Sequence, residues 1–272
     1  MVEEQRRHII SCSFGKDSIA AAIISKEMKL KNVSALYCRV MFDDRYSIEL
    51  PEQEEFIFEK AIPTLKNVYG IETEIITPKE TVVDRFYRER KKGKYIGEIY
   101  GWPGFRGCWV SKNIKLREIN EWKKNNRDIV EVVGIAADEN DRQERDTVQG
   151  KRLILCENGI TEKKALIICK NAGLLSPIYS IKRQRTGCWF CPCQRTDQLK
   201  ELREKYPDLW DKMLQLDRDS PFSFKPKMTV KKYEEMFKLQ DEEEKFWDML
   251  SEGRDNRRGR HQGQKGKDHK II

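Results

Sequence analysis

The sequence predicts an α/β domain built on a mostly parallel sheet with helices on both faces, and three observations carry that expectation. Strand-like and helix-like apolar patterns alternate through the first half of the chain. The strand patterns are short, nearly continuous apolar runs, as a sheet covered on both faces requires. The first of them leads into a glycine-containing polar loop and then directly into a helix.

His8 to Ser13 reads as the first strand, and the helix after the loop carries Ile19, Ala20, Ile23 and Ile24. Val33 to Val40 is the second strand. Pro51 to Tyr69 reads as a helix because Phe56, Ile57, Ala61 and Leu65 recur at helical spacing. Ile71 to Ile76 is the third strand, Ile114 to Trp122 a helix, and Ile129 to Ala136 a fourth strand. Thr161 as N-cap, Glu162 in the first turn and Gly173 at the C′ position delimit another helix. Gln198 to Leu216 and Val230 to Leu250 read as a helical C-terminal extension, the second segment packing through Tyr233, Met236, Phe237, Phe246, Trp247 and Leu250. From about Ser251 the chain is poor in apolar residues, the composition of a disordered tail. The expected division is a nucleotide-binding α/β domain over 1–180, a cysteine cluster with helices over 181–250 and a basic tail over 251–272.

Composition narrows the function. Charged residues make up 36% of the 272 positions, against about 25% in an average domain. No apolar run approaches the roughly 18 residues that span a bilayer, and the first seven residues lack an apolar signal segment. The expectation is a cytoplasmic protein with no membrane partner; an oligomer remains open. The net charge is +8, and between Arg254 and Lys270 seven Lys or Arg face only Asp255 and Asp268. Such a tail can track the phosphates of tRNA or DNA, and equally can be a solvated terminus. The three histidines are His8, His261 and His269, which argues against a Ser/His/Asp triad.

Ser13-Phe14-Gly15-Lys16-Asp17-Ser18 stands where a strand ends and a helix begins. The first N–H groups of a helix lack intrahelical partners and favour an anion before them. Gly15 permits close approach or a positive φ. Lys16 supplies charge to a phosphate, Asp17 can assist Mg²⁺, and the hydroxyls of Ser13 and Ser18 can donate to phosphate oxygens. The spacing is not that of a Walker A loop. Asp43 and Asp44 follow the second strand; Asp138, Glu139, Arg142 and Arg145 follow the fourth, at the edge where open α/β sheets bind ligands. Lys182, Arg183 and Arg185 offer further cations.

The loop resembles the Ser-x-Gly-Lys-Asp-Ser motif of the PP-loop, or adenine nucleotide alpha-hydrolase-like, superfamily. Gly107-Cys108-Trp109 with Lys112 and Lys115, Gly134 to Glu139 with Arg142, and Gly187-Cys188-Trp189-Phe190-Cys191-Pro192 follow in the order of its phosphoadenosine phosphosulfate reductase-like branch. The similarity covers roughly residues 8 to 200. It implies a five-stranded sheet with ATP or a related adenine nucleotide across the strands' carboxyl ends. Nucleotide-binding residues would be Ser13 to Ser18, Asp43, Gly134, Asp138, Glu139 and Arg142, with Lys16, Asp17 and Ser18 catalytic.

Two departures shape the expected activity. Sulfonucleotide reductases of this branch usually carry a nucleophilic cysteine in a C-terminal Glu-Cys-Gly, and here no cysteine follows Cys193. The Lys16-Asp17 pair is that of relatives that cleave ATP. The implied reaction is activation of an acceptor by ATP, with release of pyrophosphate, followed by sulfur transfer from a sulfur donor. The alternatives are a sulfonucleotide reductase and a non-enzymatic nucleotide- or nucleic-acid-binding module with structural zinc.

Cys188-x-x-Cys191, with Cys193 nearby and Cys108 as a distant partner, has metal-ligand spacing. Soft thiolates suit an iron–sulfur cluster, [4Fe-4S] in relatives, and they suit Zn²⁺ equally. Relatives with a cluster often show two adjacent cysteines at the first position, where this chain has only Cys108. Trp109, Trp189 and Phe190 would shield the group. Cys12, Cys38, Cys156 and Cys169 read as buried apolar thiols.

Overall fold

The computed structural model describes residues 6–104, 107–140, 142–144, 150–179, 183 and 185–262; beyond 247 it describes a side chain only at Met249. Four parallel strands form an open sheet in the order β3-β2-β1-β4: β1 (Arg7–Ser11), β2 (Val33–Cys38), β3 (Glu72–Ile76) and β4 (Ile129–Val132). The α/β class and parallel sheet follow the sequence expectation; among the described residues four strands pair, against the five expected. In place of a fifth strand, Arg152 makes a single parallel bridge beside Val132. Its N–H donates to Glu131 O and its carbonyl accepts from Val133 N. The chain then turns into α6 (Ile154–Glu157) before a ladder can grow.

Alternation along the strands divides the core in two. Ile9, Leu36 and Cys38 face a cluster that includes Trp189, Phe190, Trp210 and Phe237. Ile10, Ala35 and Tyr37 face the helical layer of α1 (Lys16–Glu27) and α7 (Glu162–Asn171). Period-two side-chain direction is enough to produce this split. Helix α1 buries both Ala20–Ala22 and Ile23–Ile24, so it is apolar on most sides, as a helix wedged between sheet and a second helix must be.

The segment from Pro51 forms α2 (Pro51–Glu55), a π-helical stretch (Phe56–Ala61) and α3 (Ile62–Asn67). Pro63 lacks the N–H that would continue the ladder, and the widened turn before it absorbs the defect. After α4 (Val82–Tyr87), a second π-helical stretch (Val110–Lys115) leads into α5 (Leu116–Asn125). Thr161 caps α7 by accepting from Lys164 N, and Gly173 follows that helix at φ 66°, as the sequence predicts.

The expected helix 198–216 is two helices, α8 (Thr196–Lys205) and α9 (Pro207–Asp219). Pro207 forces Tyr206 out of helical geometry, to φ −134° and ψ 65°. The last helix, α10 (Val230–Gln262), buries Tyr233 and Phe237 and partly packs Met236, but Phe246 and Trp247 are 53% and 58% exposed. Their expected packing is not found because α10 has left the body by then. The helix also continues through the start of the expected disordered tail, since helix propagation is easy once nucleated. The Leu250 side chain and residues 263–272 lie outside the described part. No helix among the described residues is long and apolar enough to cross a membrane.

Candidate nucleotide site

Strand order reverses beside β1: β2 and β3 lie on one side and β4 on the other. The loops leaving the carboxyl ends of β1 and β4 therefore diverge, and the crevice between them is the usual ligand position of open α/β sheets. The loop Ser13–Ser18 lies there. Phe14 takes φ 55°, its ring is fully buried and meets Tyr37 edge-on at 5.2 Å, and its carbonyl accepts from Gln53 Nε2 at 3.3 Å. Burying a phenylalanine stabilises by about 1.5–3 kcal/mol, enough to offset the roughly 1–3 kcal/mol of an unusual φ. The left-handed residue is thus Phe14, and Gly15 is extended. Gly15 serves close approach instead: a β-carbon there would lie 3.0 Å from Thr186 Oγ1 and 3.4 Å from Tyr179 Oη.

The first intrahelical bond of α1 runs from Ile19 N to Gly15 O. The earlier N–H groups therefore face the loop. Lys16 N donates to Tyr179 Oη at 2.9 Å, and Ser18 turns its hydroxyl back onto Gly15 O at 3.0 Å. The Cys169 thiol donates to Lys16 O at 3.0 Å and so braces the turn from below. Lys16 is 7% exposed; its ammonium lies 2.8 Å from Asp17 and 3.2 Å from Glu162. Burial works against its charge, but the bonds to Asp17 and Glu162 outweigh burial and raise its pKa. Asp17 is shifted upward chiefly by burial; Lys16 opposes the shift, and Glu162 and Glu139 add to it.

From the β4 side, Gly134 packs against the start of α1 so closely that a β-carbon would be 2.5 Å from Asp17 O. Arg142 donates to Glu139 at 2.6 Å. Asp138 accepts from Glu162 N at 3.0 Å and helps cap α7. Arg145 and Lys182 lie outside the described residues.

Two cavities meet at this edge. The smaller, about 170 Å³, is lined by Gly15 to Ser18, Gly134, Tyr179, Arg185 and Thr186. The larger, about 630 Å³, runs under the π-helical stretch and α5, with Lys112, Lys115, Lys123 and Lys151 against Glu131, the one acid among the described lining residues. Ser11, Ser13, Val133 and Arg142 line both. The small pocket sets Lys16, Arg142 and Arg185 against Asp17 and opens into the larger one, whose volume lies within the ~300–1,000 Å³ of small-molecule sites.

Three expected residues have other employment. Asp43 accepts from the backbone of Arg45 and Tyr46 and from Lys212 Nζ at 2.7 Å; burial opposes its ionisation, but these bonds hold its carboxyl below the usual range. Arg183 is buried and paired with Glu201. Ser18 is inward-bonded as described. Sequence reasoning missed Tyr179, Thr186 and Lys151, which come from distant segments and carry no local motif.

Cys188 and Cys191 lie in a turn closed by Cys191 N to Cys188 O at 3.0 Å, and Gln194 Nε2 donates to Cys188 O and Trp189 O. Trp189 Nε1 donates to Ser47 O, which anchors the turn to the loop after β2. Burial pushes Cys188 well up, with Glu49, Cys191 and Cys108 adding to the shift; Cys191 is pushed up to about 11 by burial and by Cys193. The donor set has the soft chemistry of a cluster or zinc site and lies within mutual electrostatic range. Among the described residues, however, no three His, Cys, Asp or Glu side chains converge as metal ligands. The other four thiols carry no exposed nucleophile: Cys12, Cys38 and Cys169 are buried, and half-buried Cys156 donates to Ile135 O.

The fold and site together define an open parallel α/β protein with a cationic strand–helix loop at its topological switch point. No family model matches the chain, and no curated protein matches it in sequence.

Proposed function

We propose that the protein is an ATP-using enzyme of the PP-loop type, related to phosphoadenosine phosphosulfate reductases, which activates an acceptor for sulfur transfer. The supporting observation is the pairing of a small pocket at Lys16, next to the α1 N-terminus, with a 630 Å³ cationic cavity reached past Arg142. The triphosphate lies at the loop. There Lys16 leaves its carboxylate partners to meet phosphate oxygens, and Asp17, flanked by Glu139 and Glu162, receives Mg²⁺ with the nucleotide. An acceptor oxygen attacks the α-phosphorus, the bond to the bridging oxygen breaks, and pyrophosphate leaves with that electron pair. Catalysis is positioning and charge stabilisation. Sulfur from a donor then displaces AMP from the acceptor. Cys108, Cys188 and Cys191, with Cys193, are the residues that would hold an iron–sulfur or zinc group, whose chemistry is to bind and present sulfur.

The test follows ATP radiolabelled at its α-phosphate. Slow release of labelled AMP with pyrophosphate, absent in Lys16→Ala, supports the reading; ADP with orthophosphate, or no turnover with any acceptor tried, contradicts it.

A further inference from the structure

A third cavity, about 610 Å³, shares a wall with the nucleotide cavity. Ser111, Lys112 and Lys115 line the nucleotide side of the π-helical stretch, whereas Trp109 and Asn113 line this one. The walls are aromatic: Tyr95, Tyr100, Trp102, Trp109, Phe222 and Phe224. Among the described residues no acid lines the cavity, and its cations are Arg90, Lys225 and Lys227. Arg90 is fixed, donating to the carbonyls of Ile99 and Tyr100 while stacking on Tyr100 at 4.8 Å and Phe222 at 5.1 Å. Trp109 is 6% exposed, and its buried N–H has no hydrogen-bond partner among the described residues. Between the lining residues Arg90 and Tyr95 the chain carries the exposed Lys91, Lys92 and Lys94, the last over the Tyr95 ring at 5.5 Å.

We propose that this cavity takes one unstacked base of a single-stranded nucleic acid, a neighbour in the strand of the acceptor nucleotide of the reaction above, so that it rests on that reading. Flat aromatic walls stack any base face, and lysines along the rim track a phosphate backbone. Asn113 presents hydrogen-bonding groups to the base edge. Cys108 sits between Gly107 and Trp109, both of which line the cavity, so the bound base lies beside the thiol region. The lining commits the occupant to an anionic aromatic unit, and the rim favours a strand over a free nucleotide.

Fluorescence anisotropy with labelled single-stranded RNA and DNA oligonucleotides on the full chain tests this, with Mg-ATP binding measured in parallel by calorimetry. The proposal expects salt-sensitive binding, weakened about fivefold or more by Asn113→Ala, by Trp109→Phe and by joint Lys91, Lys92 and Lys94→Glu, with ATP binding unchanged. Equal affinity in all three variants overturns it. So does loss confined to joint Arg257, Arg258 and Arg260→Gln, which would move the strand to the tail. Competition by a mononucleotide at the oligonucleotide's own concentration would make this a small-molecule pocket, and displacement by an acidic tyrosine-containing peptide would make it a peptide site; either overturns the proposal. Pyrophosphate release without oligonucleotide binding sinks only this inference, whereas oligonucleotide binding here without ATP binding sinks only the activation reading.

Discussion

A β-carbon on Gly134 would lie 2.5 Å from the carbonyl oxygen of Asp17 and 2.8 Å from Ser18 N, so the loop after β4 and the first turn of α1 are locked together. Neither contact atom belongs to a flexible side chain. Gly134→Ala must therefore move the backbone of the proposed phosphate loop. It should destabilise by about 1–3 kcal/mol, the usual cost of overpacking, and weaken Mg-ATP binding about tenfold or more. Thermal melts and calorimetry read the two effects; unchanged ATP affinity would show that the lock is not part of the site.

Lys16 is the only cation within ion-pair distance of Asp17 among the described residues. Lys16→Ala should lower ATP turnover at least ~100-fold, the scale for losing a preorganised charge at a reacting centre. It should also raise the Asp17 pKa further, because burial, Glu162 and Glu139 would act unopposed. Turnover within a factor of about three of the parent would remove Lys16 from the chemistry.

The strands, α1 and the loop are legible in the sequence because each rests on local information: apolar runs, helical spacing, and a Gly-Lys-Asp-Ser junction. What the local pattern hides is supplied by distant segments. Tyr179 caps Lys16 N across 163 positions, and nothing around Tyr179 in sequence announces that role. Asp43 looked like a ligand because it follows β2, but its partner Lys212 lies on α9, which sequence alone does not bring there. The break between α8 and α9 falls at Pro207, which holds Tyr206 out of helical geometry although apolar residues recur on both sides.

Glu49, half-buried between β2 and α2, has a buried Oε2 with no hydrogen-bond partner among the described residues. Burial pushes its pKa up from 4.5 to about 7, Lys115 opposes the shift and Glu54 adds to it. The folded protein thus holds a proton that the unfolded chain releases. Stability should fall as pH rises from about 4.5 to about 7 and level off above. Glu49→Gln should abolish that fall and be more stable at pH 8, by on the order of 1–3 kcal/mol. Melting curves from pH 5 to pH 8 check this; parallel curves for parent and variant would contradict it.

Joint Cys188→Ser and Cys191→Ser should remove bound iron or zinc from anaerobically purified protein while leaving Mg-ATP binding intact. The turn holding both residues is closed by backbone bonds and by Gln194, which serine preserves. Elemental analysis decides it: equal metal content in parent and variant, or none in either, argues that these thiols hold no metal.

The most direct measurement is a calorimetric titration of the anaerobically purified protein, and of Lys16→Ala, with Mg-ATP, adenosine phosphosulfate and its 3′-phosphorylated form. Tighter binding of Mg-ATP than of either sulfonucleotide, lost in the variant, is the predicted result. Preference for a sulfonucleotide would contradict acceptor activation and make the protein a reductase of the same fold class.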